Sequence, residues 1–157
     1  MQPNTAKYED MGVNGKLVSQ DVETILYKIL NVPELKSFIT GSIYKDGYRP
    51  TNSGKEDISV STLALSQEQP QIAVCNVNIH VPDLQQTMNH GVEYVPNSVK
   101  LKSLSERVMQ IINEALFNPL YKDFSVRLDY QRTFRNQDTE AREHSQNLRI
   151  ELIIPNN

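Results

Sequence analysis

The sequence has no tryptophan, a single cysteine (Cys75) and only three histidines in 157 residues. One thiol excludes an intrachain disulfide and any zinc site built on several thiolates. Long apolar runs are also missing. None approaches the roughly 20 residues that cross a bilayer, and Met1–Asp10 lacks the apolar stretch of roughly 7–15 residues that marks a secretory signal. A cytosolic protein without a membrane anchor is the expectation. Glycine is scarce, and Gly41, Gly47 and Gly54 stand alone, so there is no glycine-rich phosphate loop. The net charge of -3 argues against a broad, sequence-blind nucleic-acid footprint. What remains is 38% hydrophobic and 22% charged residues, a composition that suits one globular domain. The parts for catalysis are few.

The polar start, residues 1–17, reads as a mobile arm ahead of a single domain over 18–157. Val18, Val22, Ile25, Leu26, Ile29 and Leu30 then recur at helical spacing, with Ser19 as the expected cap and Asn31-Val32-Pro33 as the stop. A short helical piece is predicted over 33–40, with Leu35, Phe38 and Ile39 facing inward. Ser42–Lys45 reads as a short strand and Asp57–Leu65 as a longer one, with Leu63 and Leu65 beside Ser59 and Ser61 on one face. Ile72–Val81 alternates most clearly. Cys75, Val77 and Ile79 face one way; Asn76, Asn78 and His80 face the other. Residues 84–97 keep no period and read as a long loop, with a short extended piece at Val92–Val95. Leu101, Leu104, Val108, Ile111, Ile112, Ala115 and Leu116 form the stripe of a second long helix, capped by Asn97 or Ser98. Strands over 125–134 and 147–154 close the chain, joined by a polar loop over 135–146. The predicted fold class is α+β: a mainly antiparallel sheet in the order α-β-β-β-α-β-β, with two amphipathic helices on one face.

Chemistry-bearing residues do not converge in this reading. His80, His90 and His144 share no ligand spacing, and Cys75 has the apolar neighbours of a core residue. Lys55-Glu56-Asp57 is the most reactive-looking cluster, and paired acids beside a lysine suit a divalent metal or acid–base work. The following strand supplies no further acid. Arginines 127, 132, 135, 142 and 149 gather in the last third, but Asp129, Asp138, Glu140, Glu143 and Glu151 are interleaved with them. The more informative feature is a sheet face of Asn76, Asn78 and His80 that carries no full charge. Such a face suits packing against another subunit, and equally suits cover by the chain's own loops.

The helix at 18–30, then Gly41-Ser42-Ile43-Tyr44 with Arg49-Pro50, resembles the start of the small tail-completion or tail-terminator proteins of long-tailed bacteriophages. There a helix leads into a strand of the form (G)xIY and a proline-bearing loop. The likeness continues through the strand IAVCNVNIHV, the helix from Leu101, and the closing HSQNLRIELII, and so spans about residues 18–154. The polar arm, the loop Thr51–Asp57 and the insertion at 84–97 depart from the pattern. The resemblance implies a non-enzymatic virion protein that assembles as a ring, commonly a hexamer. Such a ring caps the tail tube or joins head to tail, docks tail-tube or head-connector proteins, and lets DNA pass without sequence-specific binding. It would reside in the host cytoplasm during assembly and then in the virion. No catalytic, metal or cofactor residue is expected. Arg49, Glu56, Asp57, Leu63, Leu65, Asn76, Asn78, His80, Arg135 and Arg142 are the candidate interface. Two other readings stand beside it: a small metal-dependent hydrolase using Glu56 and Asp57, and a stand-alone cellular binding module with its ligand at 84–97.

Overall fold

A computed structural model describes residues 16–136 and 140–155. In chain order it contains α1 (Ser19–Leu30), α2 (Pro33–Lys36), β1 (Ile43–Lys45), β2 (Asp57–Leu65), β3 (Gln71–Pro82), β4 (Leu84–Met88), β5 (Gly91–Val95), α3 (Ser98–Ala115), a 3-10 turn at Pro119–Tyr121, β6 (Ser125–Arg135) and β7 (Glu143–Ile154). Five strands form one sheet in the order β1-β2-β3-β7-β6, and β4 and β5 form a separate two-stranded sheet. The α+β class expected from the sequence is the fold observed. One pairing departs from the antiparallel expectation: β1 runs parallel to β2.

The core lies between α1, α3 and one face of the sheet. Val22, Leu26 and Leu30 from α1 and Val108 and Ile112 from α3 are fully buried, as are Ala73, Cys75, Val77 and Ile79 of β3 and Leu148, Ile150, Leu152 and Ile154 of β7. Strand alternation explains the match, because every second residue of β3 and of β7 falls on the helix side. Val18, not Ser19, is the residue before α1, and its N–H donates to Asp21 Oδ2 at 2.8 Å. The acid three residues on thus accepts from the N–H of the residue before the helix, the reciprocal half of a capping box, and no side chain of Val18 caps the first-turn donors. Asn97 caps α3, accepting from the Lys100 N–H at 3.2 Å.

Several boundaries differ from the sequence reading. Residues 1–15 of the expected arm lie outside the described residues. Leu17 is buried, and its N–H and carbonyl are both held by the buried Gln71 side chain, at 2.9 and 3.0 Å. The short helix stops at Lys36, and Phe38 is exposed, with the Arg107 guanidinium 3.8 Å from its ring centre. The stretch 84–97 is an ordered hairpin instead of a loop. β7 begins at Glu143, so the polar connection after β6 is shorter than expected.

Two bulges reset the strand faces. The β2–β3 register slips between Thr62 and Ala64, and the β6–β7 register slips between Leu128 and Tyr130. A one-residue insertion turns all later side chains over. Leu65 therefore pairs with Ala73 and packs on the core, while Leu63 is left 52% exposed. Tyr130 pairs with Arg149 on the side of the sheet away from the helices.

Candidate functional site

The face of the sheet turned away from the helices is where polar side chains converge. Asn76, Asn78 and His80 of β3 stand opposite Ser61, Ser59 and Asp57 of β2, and opposite Arg149, Asn147 and Ser145 of β7. Asn147 Nδ2 donates to both Asn78 Oδ1 (2.7 Å) and Asn76 Oδ1 (3.1 Å), and Arg149 Nε reaches Asn76 Oδ1 at 3.4 Å. His80 is clamped between two hydroxyls, with Nε2 3.0 Å from Ser59 Oγ and Nδ1 2.8 Å from Ser145 Oγ. A neutral imidazole has one donor and one acceptor, so one serine donates to the ring and the other accepts from it. The sheet offers a band of amides and hydroxyls that are bonded to one another.

At one end of this band the connection over 46–56 folds back across the face. The parallel β1–β2 pairing forces that path, because a strand that returns in the same direction needs a connection that retraces the strand's length. The returning loop carries Arg49 over Asp57 and Glu143. Its Nε lies 3.0 Å from Asp57 Oδ2, and its two terminal nitrogens grip Glu143 Oε1 and Oε2 at 2.9 and 2.8 Å. Asp57 also accepts from Ser53 Oγ (2.6 Å) and from the Ser42 N–H (2.9 Å), and Glu143 accepts from Asn136 Nδ2 (2.9 Å). Asp57 and Glu143 are each 1% exposed. Buried carboxylates are tolerated only when paired and hydrogen-bonded, and this pair shares one fork-shaped cation. Gly41 leaves the room for it. A Cβ there would stand 1.8 Å from Asp57 Oδ1 and 2.6 Å from the Glu56 carbonyl.

The electrostatics follow from burial and neighbours. For the Glu143 carboxyl, burial acts to raise its affinity for protons, but the Arg49 hydrogen bonds and charge outweigh it and hold the group below its usual range. Burial works against the Arg49 charge, yet its bonds to Glu143 and Asp57 raise its pKa further. His80 is pushed down to about 4, first by burial and then by the Arg49 charge, against the opposing pull of Glu143 and Asp57. It is therefore a neutral imidazole at physiological pH. Burial raises the Cys75 thiol to about 12, which makes it inert as a nucleophile.

The structure sorts the candidate residues into three groups. Arg49, Asp57, His80 and the loop over 46–56 form one internal cluster, roofed by the chain's own loop. A cleft of about 260 Å³ remains beside it, lined by Arg49, Asn52, Ser59, Asn78, His80 and Asn136 among others. Asn76 and Asn78 sit half-buried on the open part of the face, while Arg135 and Arg142 are exposed near its end. Glu56, Leu63 and Leu65 are elsewhere. Glu56 accepts from the Thr40 N–H (3.2 Å) and lies 3.6 Å from Lys100 Nζ, on the outer side of the Asp57 cluster. Glu56 and Asp57 thus turn to different partners. Among the described residues no three histidines, cysteines or acids come together to hold a metal.

Three residues of the cluster escaped sequence reasoning: Glu143, Ser145 and Asn147. The period-two signal was present, since Glu143, Ser145, Asn147 and Arg149 alternate with His144, Gln146 and Leu148. It is invisible to hydrophobicity, because both faces are polar there.

Beyond the loop-covered end, the open face is lined by aromatic and basic residues from β6. Arg149 stacks on Tyr130, with 4.8 Å between guanidinium carbon and ring centre, and Arg132 lies 5.2 Å from Phe134. Tyr130 is 40% exposed. No helix among the described residues is long and apolar enough to cross a membrane. No family model matches the chain, and no curated protein matches it either.

Proposed function

We propose that this chain is a non-catalytic subunit of a bacteriophage or prophage virion. It would be a ring-forming tail terminator or head–tail joining protein that caps the tail tube and docks its neighbours. It would assemble in the host cytoplasm and end in the virion. The observation that carries the reading is the sheet itself. One face is sealed by two helices, while the other offers bonded amides and hydroxyls, stacked arginines and aromatics, and the long exposed edge of β6. A lone domain gains nothing from a broad open face with half-exposed aromatics, whereas a subunit that covers it with a neighbour does. The likeness of element order and of the GSIY, IAVCNVNIHV and HSQNLRIELII segments to the tail-terminator pattern supplies the particular setting. A net charge of -3 suits a conduit through which DNA slides without sticking.

The metal-dependent hydrolase is not favoured, because every Asp57 oxygen is already engaged by Arg49, Ser53 or Ser42. Size-exclusion chromatography with light scattering, followed by negative-stain imaging, tests the proposal. A closed ring, hexameric in the simplest case, with co-purifying tail-tube or connector protein is expected. A strict monomer at high concentration that captures neither would overturn it.

A further inference from the structure

Among the described residues, the β4–β5 hairpin is tied to the rest of the molecule at its base. The Asp83 N–H donates to the Arg142 carbonyl (2.8 Å), His144 Nδ1 lies 2.6 Å from Asp83 Oδ1, and the Arg142 guanidinium stacks on Tyr94 at 4.0 Å. Beyond that base, nine of the ten residues of the two strands are exposed, Val95 being the exception. The exposed residues include Leu84 (46%), Met88 (42%), Val92 (50%) and Tyr94 (40%). With a rise of about 3.3 Å per residue, the arm projects roughly 17 Å. An isolated two-stranded hairpin is marginal in water, and apolar side chains on both of its faces call for cover.

The same chain carries a matching surface. β6 is an edge strand that pairs only with β7 among the described residues. Its bulge leaves an unbroken run from Tyr130 to Arg135, six residues against the five of each hairpin strand. That run carries Arg132 and Arg135, neither in an ion pair among the described residues, while Glu93, whose Oε1 lies 2.6 Å from His90 Nε2, is the one acidic side chain on Leu84–Val95. Length, exposed backbone and charge sign all fit. Among the described residues the hairpin strands pair only with each other.

We infer that the β4–β5 hairpin of one copy adds to the Tyr130–Arg135 edge of a second copy, extending its sheet by β-augmentation with Met88 or Val92 against Tyr130 and Phe134. The two patches differ, so each docking leaves one hairpin and one edge free. Such heterologous contacts propagate head to tail and form a ring when the rotation between copies closes. The inference rests on the assembly reading above and names the contact that would build the ring.

The test uses the full chain. The wild type is weighed by light scattering, beside Met88→Lys/Val92→Lys, two exposed positions away from the hairpin base. Folding of the variant is checked by circular dichroism and its melting temperature. Thr87→Cys and Gln131→Cys chains, one of them mass-tagged, are mixed and treated with a short bismaleimide, since Cys75 is buried. An oligomeric wild type, a folded variant at least tenfold weaker in association, and links between position 87 of one chain and position 131 of the other are expected. A wild type that never associates overturns the assembly reading and this inference with it. If the wild type is oligomeric but the lysine variant keeps its mass, the hairpin inference alone falls. The same holds if the oligomeric mixture yields no link between tagged and untagged chains.

Discussion

Replacing Arg49 with methionine isolates what the buried ion cluster does. The substitution keeps most of the aliphatic stem and removes five donors, leaving Asp57 and Glu143, each 1% exposed, without their shared cation. Ser53, Ser42 and Asn136 still donate, so the carboxylates are not stripped of hydrogen bonds. What is lost is the compensating charge. Breaking a buried pair from one side costs about 3–5 kcal/mol, which for a domain of this size is a fall in Tm of roughly 8–15 °C. The pH dependence separates this mechanism from simple packing loss. In the wild type the folded state holds Glu143 below its ordinary pKa. That contribution is present above the unfolded pKa of about 4.3 and is lost as pH falls through the folded value. In the variant Glu143 keeps its burial but loses the cation, so its folded pKa rises above the unfolded one. Stability then improves as pH falls. Urea denaturation of both proteins between pH 4 and pH 8 reads the difference directly. It should be large at neutral pH and shrink on acidification. A deficit that stays constant across pH, or one under about 1 kcal/mol at pH 7, would show that the cluster is not held by charge.

His80, with a folded pKa of about 4 against about 6.5 unfolded, makes the wild type lose stability as pH falls from about 6.5 toward 4, by as much as about 3 kcal/mol. His80→Gln should flatten the urea-midpoint profile in that window and leave the Glu143 loss at lower pH. Gly41→Ala drives a methyl group into Asp57 Oδ1 and the Glu56 backbone, so it should cost several kcal/mol by thermal melting, with no gain from the reduced backbone freedom. Cys75 is fully buried with its thiol raised to about 12, so a thiol reagent should label it only through unfolding, at a rate that tracks denaturant concentration; prompt stoichiometric labelling of the native protein would contradict that.

The helices and β3 were legible in the sequence because each buries one face and exposes another, which writes a period into hydrophobicity. Val22 to Leu30 and Ala73 to Val81 fall where their spacing puts them. The hairpin over 84–95 was not legible, since both its faces meet solvent and no face selects apolar residues. The bulges at Leu63 and Asp129 were hidden for another reason. An extra residue leaves no compositional mark, yet it moved Leu65 onto the core and Tyr130 off it. Of the site, the uncharged face of Asn76, Asn78 and His80 was read correctly as a face. Its capture by Arg49 depended on the parallel β1–β2 return, which pairs residues from distant parts of the chain. No local pattern announces a contact between Arg49 and Glu143.

The place of β7 in the sheet has a consequence for how the protein is made. It is the latest of the described strands in chain order, yet it stands between β3 and β6, holding Leu148, Ile150, Leu152 and Ile154 in the middle of the core. While a nascent chain grows from Pro82 to Glu143, the hydrogen-bonding edge of β3 that β7 will occupy stays open. The apolar faces of α1 and α3 meanwhile have only half of their sheet to rest on. Folding must therefore wait for a non-local strand insertion, which is slow and exposes an edge able to capture the wrong strand. Many copies synthesised close together would each offer that same edge to their neighbours. The polar residues of β3 that look outward in the finished protein, Asn76, Asn78 and His80, would then be what keeps one side of the half-built sheet wet and discourages a premature partner from staying.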